Sequence, residues 1–175
     1  MKKSNIKLTI ACAVSALAAC QMANAALTVT SSVGGGALSG KTYVTFDDPL
    51  PSGLTVTTTT DGGLVTGTSS KNAPPYVSGN NSVNFNTANG ADTTQYLTSG
   101  KLDAGGSITF NFASAQNYFG LLWGVGDTDN TLSFYDGATL IGTLTGADVL
   151  VLSPSPKTGA SDTVYTNIHS DEGFN

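Results

Sequence analysis

Apolar and polar residues alternate with a period of two in a series of short segments separated by Gly, Asn, Asp and Pro. Residues 107–112 carry the cleanest case: Ile108, Phe110 and Phe112 point one way, Thr109 and Asn111 the other. Such alternation marks a strand with one buried face. Shorter runs of the same kind occupy 27–30, 42–46, 54–57, 82–85 and 163–166, and a turn is expected at Asp61, Gly62 and Gly63. A longer run over 118–125 sets Phe119, Leu121, Trp123 and Val125 on one face. Gly120 and Gly124 fall on the other, where a neighbour can pack closely. After a turn at 126–130, residues 131–135 and 138–142 read as two strands joined at Asp136-Gly137. That dipeptide suits a type I′ hairpin, whose two central residues both need positive φ.

Beyond residue 25, no stretch of ten or more residues has apolar spacing near 3.6. Strands at this length and spacing predict an all-β chain, a single-domain β-sandwich of jelly-roll type. Composition agrees. After residue 25 there are 24 Thr and 21 Gly but one Glu, Glu172, a mixture poor for helices and suited to strands and tight turns. The stretches 69–75, 86–92 and 153–159 read as surface loops within one domain, since neither side of any of them has a composition of its own.

Residues 1–25 read as a signal peptide and 26–175 as the β-sandwich ectodomain. Lys2, Lys3 and Lys7 precede an apolar run over 8–18, and Ala23 and Ala25 place small residues at the −3 and −1 positions of a cleavage site. The run is shorter than the roughly 20 residues that span a bilayer, so the mature chain is expected to carry no transmembrane helix. Export machinery and a signal peptidase cutting after Ala25 are the implied partners. Leu17, Ala18, Ala19 and Cys20 also fit a lipobox, so the alternative is an outer-membrane lipoprotein anchored at Cys20. Both cysteines, Cys12 and Cys20, lie in the leader. Cleavage after Ala25 leaves a domain held without disulfides.

The mature chain sets four Lys and no Arg against twelve acids, a formal charge of −8. Such a surface repels nucleic acid and anionic membranes.

Chemistry-bearing motifs are sparse. Residues 35–42 match the P-loop pattern, but that site needs a helix after Lys41, and Tyr43, Val44, Phe46 and Pro49 follow instead. His169 is the one histidine, and no nucleophile-elbow pattern accompanies it, so the expectation is a non-enzyme. Asp127, Asp129 and Asn130 cluster in one turn and are the candidate calcium ligands, with Asp47 and Asp48 beside Phe46 a second candidate. Short acidic side chains also bond their own backbone in turns, which explains both groups without a metal. No other cofactor is expected. Trp123 and Tyr135 are the candidate aromatics for a saccharide, although Trp123 shares its face with apolar neighbours and reads mainly as core.

The segment Tyr118, Phe119, Gly120, Leu121 … Trp123, Gly124 … Asp127 … Asn130, Thr131, Leu132, Ser133, Phe134, Tyr135 … Gly137 resembles a block in exosortase-dependent bacterial surface proteins of the PEP-CTERM type. Their ectodomains carry Y-F-G-L-x-W-G-S-x-D-x-x-N-T-L-x-F-Y-x-G, then x-T-G-x-D-V, which Thr145, Gly146, Asp148 and Val149 fit. Residues 43–48 and 95–97 are weaker matches, and Val125 and Gly126 depart from the block. The resemblance implies an exported, non-enzymatic cell-surface or extracellular-matrix protein with extracellular polysaccharide or matrix as partner. A carbohydrate-binding module is the alternative. Members of that family continue with a further strand or two, a Pro-Glu-Pro signal, an apolar helix and a basic tail. The resemblance therefore implies a sandwich here that lacks its last strand or strands and its sorting signal.

Overall fold

The computed structural model describes residues 27–32, 37–59, 61–67, 69, 72, 74–75, 93–100, 106–124, 128, 130–152 and 164–175. The leader with Cys20 and Ala25, the strand expected at 82–85, and Asp127 and Asp129 lie outside the described residues.

The fold is all-β. Nine strands and one short helix run in the order β1 (Leu27–Ser32), β2 (Leu54–Thr58), β3 (Gly63–Val65), β4 (Tyr96–Thr98), β5 (Ile108–Phe112), β6 (Gln116–Trp123), β7 (Thr131–Asp136), β8 (Thr139–Thr145), α1 (Gly146–Val151) and β9 (Val164–Phe174) among the described residues. They form small antiparallel sheets, β1-β9-β6, β2-β5, β3-β4 and β7-β8. No helix among the described residues is long and apolar enough to cross a membrane.

β9 organises the molecule because it lies between β1 and β6. Ile168 faces Val29 on one side and Phe119 on the other. In the same register Thr166 faces Ser31 and Leu121, and Val164 faces Trp123. Together these residues make the core face of the sheet. Phe134, Ile141, Ile168 and Phe174 are buried together, with Leu27, Val29, Phe112, Phe119, Leu121, Leu132 and Leu144 packed around them. Edge-on aromatic contacts tie the elements: Phe112 to Phe119 at 6.5 Å, Phe119 to Phe134 at 6.1 Å and Phe134 to Phe174 at 5.0 Å. Ser31 and Thr166 also bring two buried hydroxyls to this face with no hydrogen-bond partner.

Three sequence expectations meet a different local structure, and one short helix interrupts the run of strands. Residues 42–46 keep the alternation, with Tyr43 and Thr45 exposed and Val44 and Phe46 half-buried, but form no ladder. Phe46 takes φ +67°, off the extended geometry a strand needs, and Pro49 follows with no N–H to offer. The β7–β8 turn is centred on Gly137 and Ala138, because Asp136 pairs with Thr139. Gly137 alone in that turn has positive φ, +57°, so the hairpin is real and type I′ is not. Gly62 ends the turn after β2, but Gly63 already belongs to β3. Finally, α1 is a single capped turn and a half. Thr145 Oγ1 accepts from Asp148 N at 3.3 Å, and Asp148 Oδ2 accepts from Thr145 N at 2.9 Å, a capping box that needs no long amphipathic run.

Candidate functional site

The described site candidates lie on separate elements: Trp123 on β6, Tyr135 on β7, Asn130 before β7, and Asp47 in the 46–48 bend. Trp123 lies on the core face in register with Val164, half-buried, as its apolar companions imply. Tyr135 is exposed at the end of β7, opposite exposed Leu140, and its carbonyl accepts from Asn175 N at 2.9 Å. Asn130 is half-buried, and its carbonyl accepts from Gly146 N at 2.9 Å, which joins the start of β7 to α1. Asp47 Oδ1 accepts from Gln95 N at 2.9 Å, tying the 46–48 bend to the start of β4. Among the described residues, no group of three or more His, Cys, Asp or Glu is placed to hold a metal. Lys41 of the P-loop match stands over an aromatic ring, with no helix after it.

What the fold does assemble is on the outer face of the β1-β9-β6 sheet. Successive side chains of a strand point to opposite faces, so the residues alternating with the core set share this outer side. Thr28, His169 and Tyr118 form one cross-strand row. Thr30, Asn167 and Gly120 form the next, and Ser32, Tyr165 and Leu122 the third. Segment 37–46 crosses this face, since Leu38 N donates to the Tyr118 hydroxyl at 3.4 Å. Lys41 Nζ stands 4.8 Å from the centre of the Tyr118 ring, and the His169 ring lies 5.1 Å from it at a tilt of 52°.

Tyr118 is held at its far end as well. Its hydroxyl donates to Asn167 Oδ1 at 2.6 Å, and Asn167 is itself buried. The tyrosine leans over Gly120, where a Cβ would overlap its hydroxyl and come within 3.2 Å of the Tyr165 hydroxyl. The absence of a side chain at Gly120 is what lets two phenols meet there. At Gly124 a Cβ would meet Pro75 at 3.2 Å, the second close approach that the glycine spacing implies.

Tyr165 carries the electrostatic consequence. Its pKa is pushed up from 10.0 to about 12, first by burial and then by the nearby Tyr118 and Tyr43 phenols, with a hydrogen bond to Tyr118 adding to the shift. The sign for stability follows. Between pH 10.0 and about 12 the unfolded chain sheds a proton that the folded chain retains. Stability is therefore independent of this group at neutral pH and falls as pH rises through that window. Urea midpoints from neutral pH to about 12 are expected to drop less for Tyr165→Phe than for the parent chain; parallel curves would show that the phenol is not held in the neutral form by its surroundings.

Tyr43, Tyr118, Tyr165 and Asn167 were not singled out as site residues by sequence reasoning, and Lys41 only as part of the P-loop match. The signal was present, since Tyr165, Asn167 and His169 alternate along one strand and Tyr118 and Gly120 along its neighbour. The strand that carries the first three reads as polar beyond residue 166, which hid the pattern. Chemically the cluster offers hydroxyl, amide, imidazole and ammonium groups around aromatic rings. The chain matches no family model, no curated protein and no solved structure.

Proposed function

We propose that this chain is an exported, non-enzymatic cell-surface or extracellular-matrix protein of the exosortase-sorted type, built as a single-domain β-sandwich of jelly-roll type. The observation that carries the reading is a leader of three lysines, an apolar run and Ala23-Asn24-Ala25 on a chain with the Tyr118–Gly137 block. The aromatic contacts that join β5, β6, β7 and β9 support two sheets packed face to face. The block also contributes Phe119, Leu121, Leu132 and Phe134 to one core, which suits an architectural role for it better than a catalytic one.

Expression of the whole chain in a bacterium with two membranes tests export. The expected product is found outside the cytoplasm and begins at Ala26. A lipid-modified product beginning at Cys20 would replace this route by the lipoprotein alternative, and Cys20→Ala would then trap the precursor. An intact product beginning at Met1 in the cytoplasm overturns the export reading.

A carbohydrate-binding module is the second reading. The observation favouring it is the presence of exposed aromatic rings on the domain exterior, Tyr43 and Tyr135, where a saccharide can stack.

A further inference from the structure

The outer face of the β1-β9-β6 sheet concentrates polar chemistry that the core does not need. Tyr118 and Tyr165 meet there with the single histidine of the chain and the one lysine among the described residues, and Tyr43 follows two residues after that lysine on the segment that crosses the face. Half of this network is sealed and half is open. Tyr165 and Asn167 are buried and hold Tyr118 from below, while His169, Lys41, Thr28 and Thr30 are exposed around it. Tyr43 stands out furthest, with 64% of its surface exposed. Lys41, Tyr43 and Thr45 are exposed along this segment, while Val44 and Phe46 are half-buried.

This arrangement has the two components that recognition of a sugar ring requires. An exposed aromatic ring presents a flat apolar surface to the C–H face of the ring. Around it, fixed donors and acceptors at strand spacing meet the hydroxyl groups, which are both donors and acceptors themselves. The part-buried Asn167–Tyr118 bond supplies preorganisation: Tyr118 in turn positions the Lys41 ammonium and the His169 ring, so less freedom is lost on binding. Charge selects the class. With a mature formal charge of −8 from four lysines and twelve acids, the chain repels a polyanion on approach, whereas an uncharged sugar meets no such barrier.

We propose that this face binds a neutral saccharide, with the Tyr43 ring as stacking platform and Lys41, His169, Thr28 and Thr30 as the groups that meet its hydroxyls. The site rests on the carbohydrate-binding reading and moves it away from Trp123 and Tyr135.

The test is affinity electrophoresis of the purified mature chain in gels containing a soluble β-1,3-glucan, a soluble cellulose ether or dextran, with polygalacturonate alongside. At least one neutral polymer is expected to retard the protein. Tyr43→Ala is expected to weaken that retardation about tenfold or more, as loss of an aromatic anchor does, and Lys41→Ala or His169→Ala to weaken it less. Each of these side chains is exposed, so an unchanged melting temperature separates lost binding from lost folding. Binding abolished by Tyr135→Ala but not by Tyr43→Ala would overturn the site and keep the module reading. Retardation by polygalacturonate alone would overturn the neutral class. No retardation by any polymer would overturn the site and the module reading together.

Discussion

Phe134→Ala is expected to destabilise the domain by about 4 kcal/mol, the usual range for removing a buried phenylalanine. Phe134 is buried on the inner face of the β7–β8 hairpin. Its ring lies 5.0 Å from that of Phe174 on β9 and 6.1 Å from that of Phe119 on β6. Those rings in turn touch Phe112 of β5. The substitution therefore removes aromatic contacts that help tie the hairpin to the three-stranded sheet, and adds a cavity that Leu132 and Leu144 can fill only in part. The control is the next residue. Tyr135 is exposed on the opposite side of the same strand, so Tyr135→Ala should change stability by no more than about 0.5 kcal/mol. Urea denaturation with an unchanged m-value reads both. Equal losses at the two positions would mean that the hairpin does not dock by its Phe134 face, and the proposed sandwich would lose its main support.

Legibility from sequence followed solvent exposure. β5 and β7 are half-buried strands: the period-two pattern placed Phe110 and Phe112 on the inner face of β5, and β7, expected as a strand, alternates in the same way with Leu132 and Phe134 turned inward. β9 lies between two strands, and residues 164–168 are buried on both of its faces, so polar Thr166 and Asn167 sit inside as firmly as Val164 and Ile168. A pattern rule that equates polar with outside finds the first residues of such a strand and loses the rest. In β8, the register shift opposite Phe134 and Tyr135 buries Ile141 and exposes Leu140, a reversal that follows from backbone geometry and not from hydrophobicity. Trp123 was legible as a core-face position because its companions at 119 and 121 are apolar, and it lies half-buried in register with Val164. The Tyr118 cluster was not, because its members come from β6, β9 and segment 37–46, and only their pairing brings them together.

Glycines show the same divide, and Gly100→Ala is the sharpest expected consequence. Gly137 and Gly100 both have positive φ, +57° and +76°. An alanine in that region of backbone space costs about 1–2 kcal/mol, because Cβ approaches the following carbonyl. At Gly137 nothing else lies within 4 Å of an added Cβ, so Gly137→Ala should cost about 1 kcal/mol and no more. At Gly100 the added Cβ would overlap the Asp61 carbonyl and lie 2.8 Å from Asp61 Cβ. Asp61 sits in the turn between β2 and β3, where Gly62 N donates to Thr59 O at 2.8 Å, so the obstacle is backbone held by its own hydrogen bond. Relief would require moving either that turn or the end of β4, at a further cost of about 2 kcal/mol. Gly100→Ala is therefore expected to lose about 3 kcal/mol in the same urea assay, roughly three times the loss at Gly137. Asp136-Gly137 advertises its turn in the sequence, whereas nothing in Ser99-Gly100 reveals the carbonyl that faces it. If the two substitutions cost the same, the dihedral alone matters at Gly100, and the close approach of the β2–β3 turn to the end of β4 is wrong.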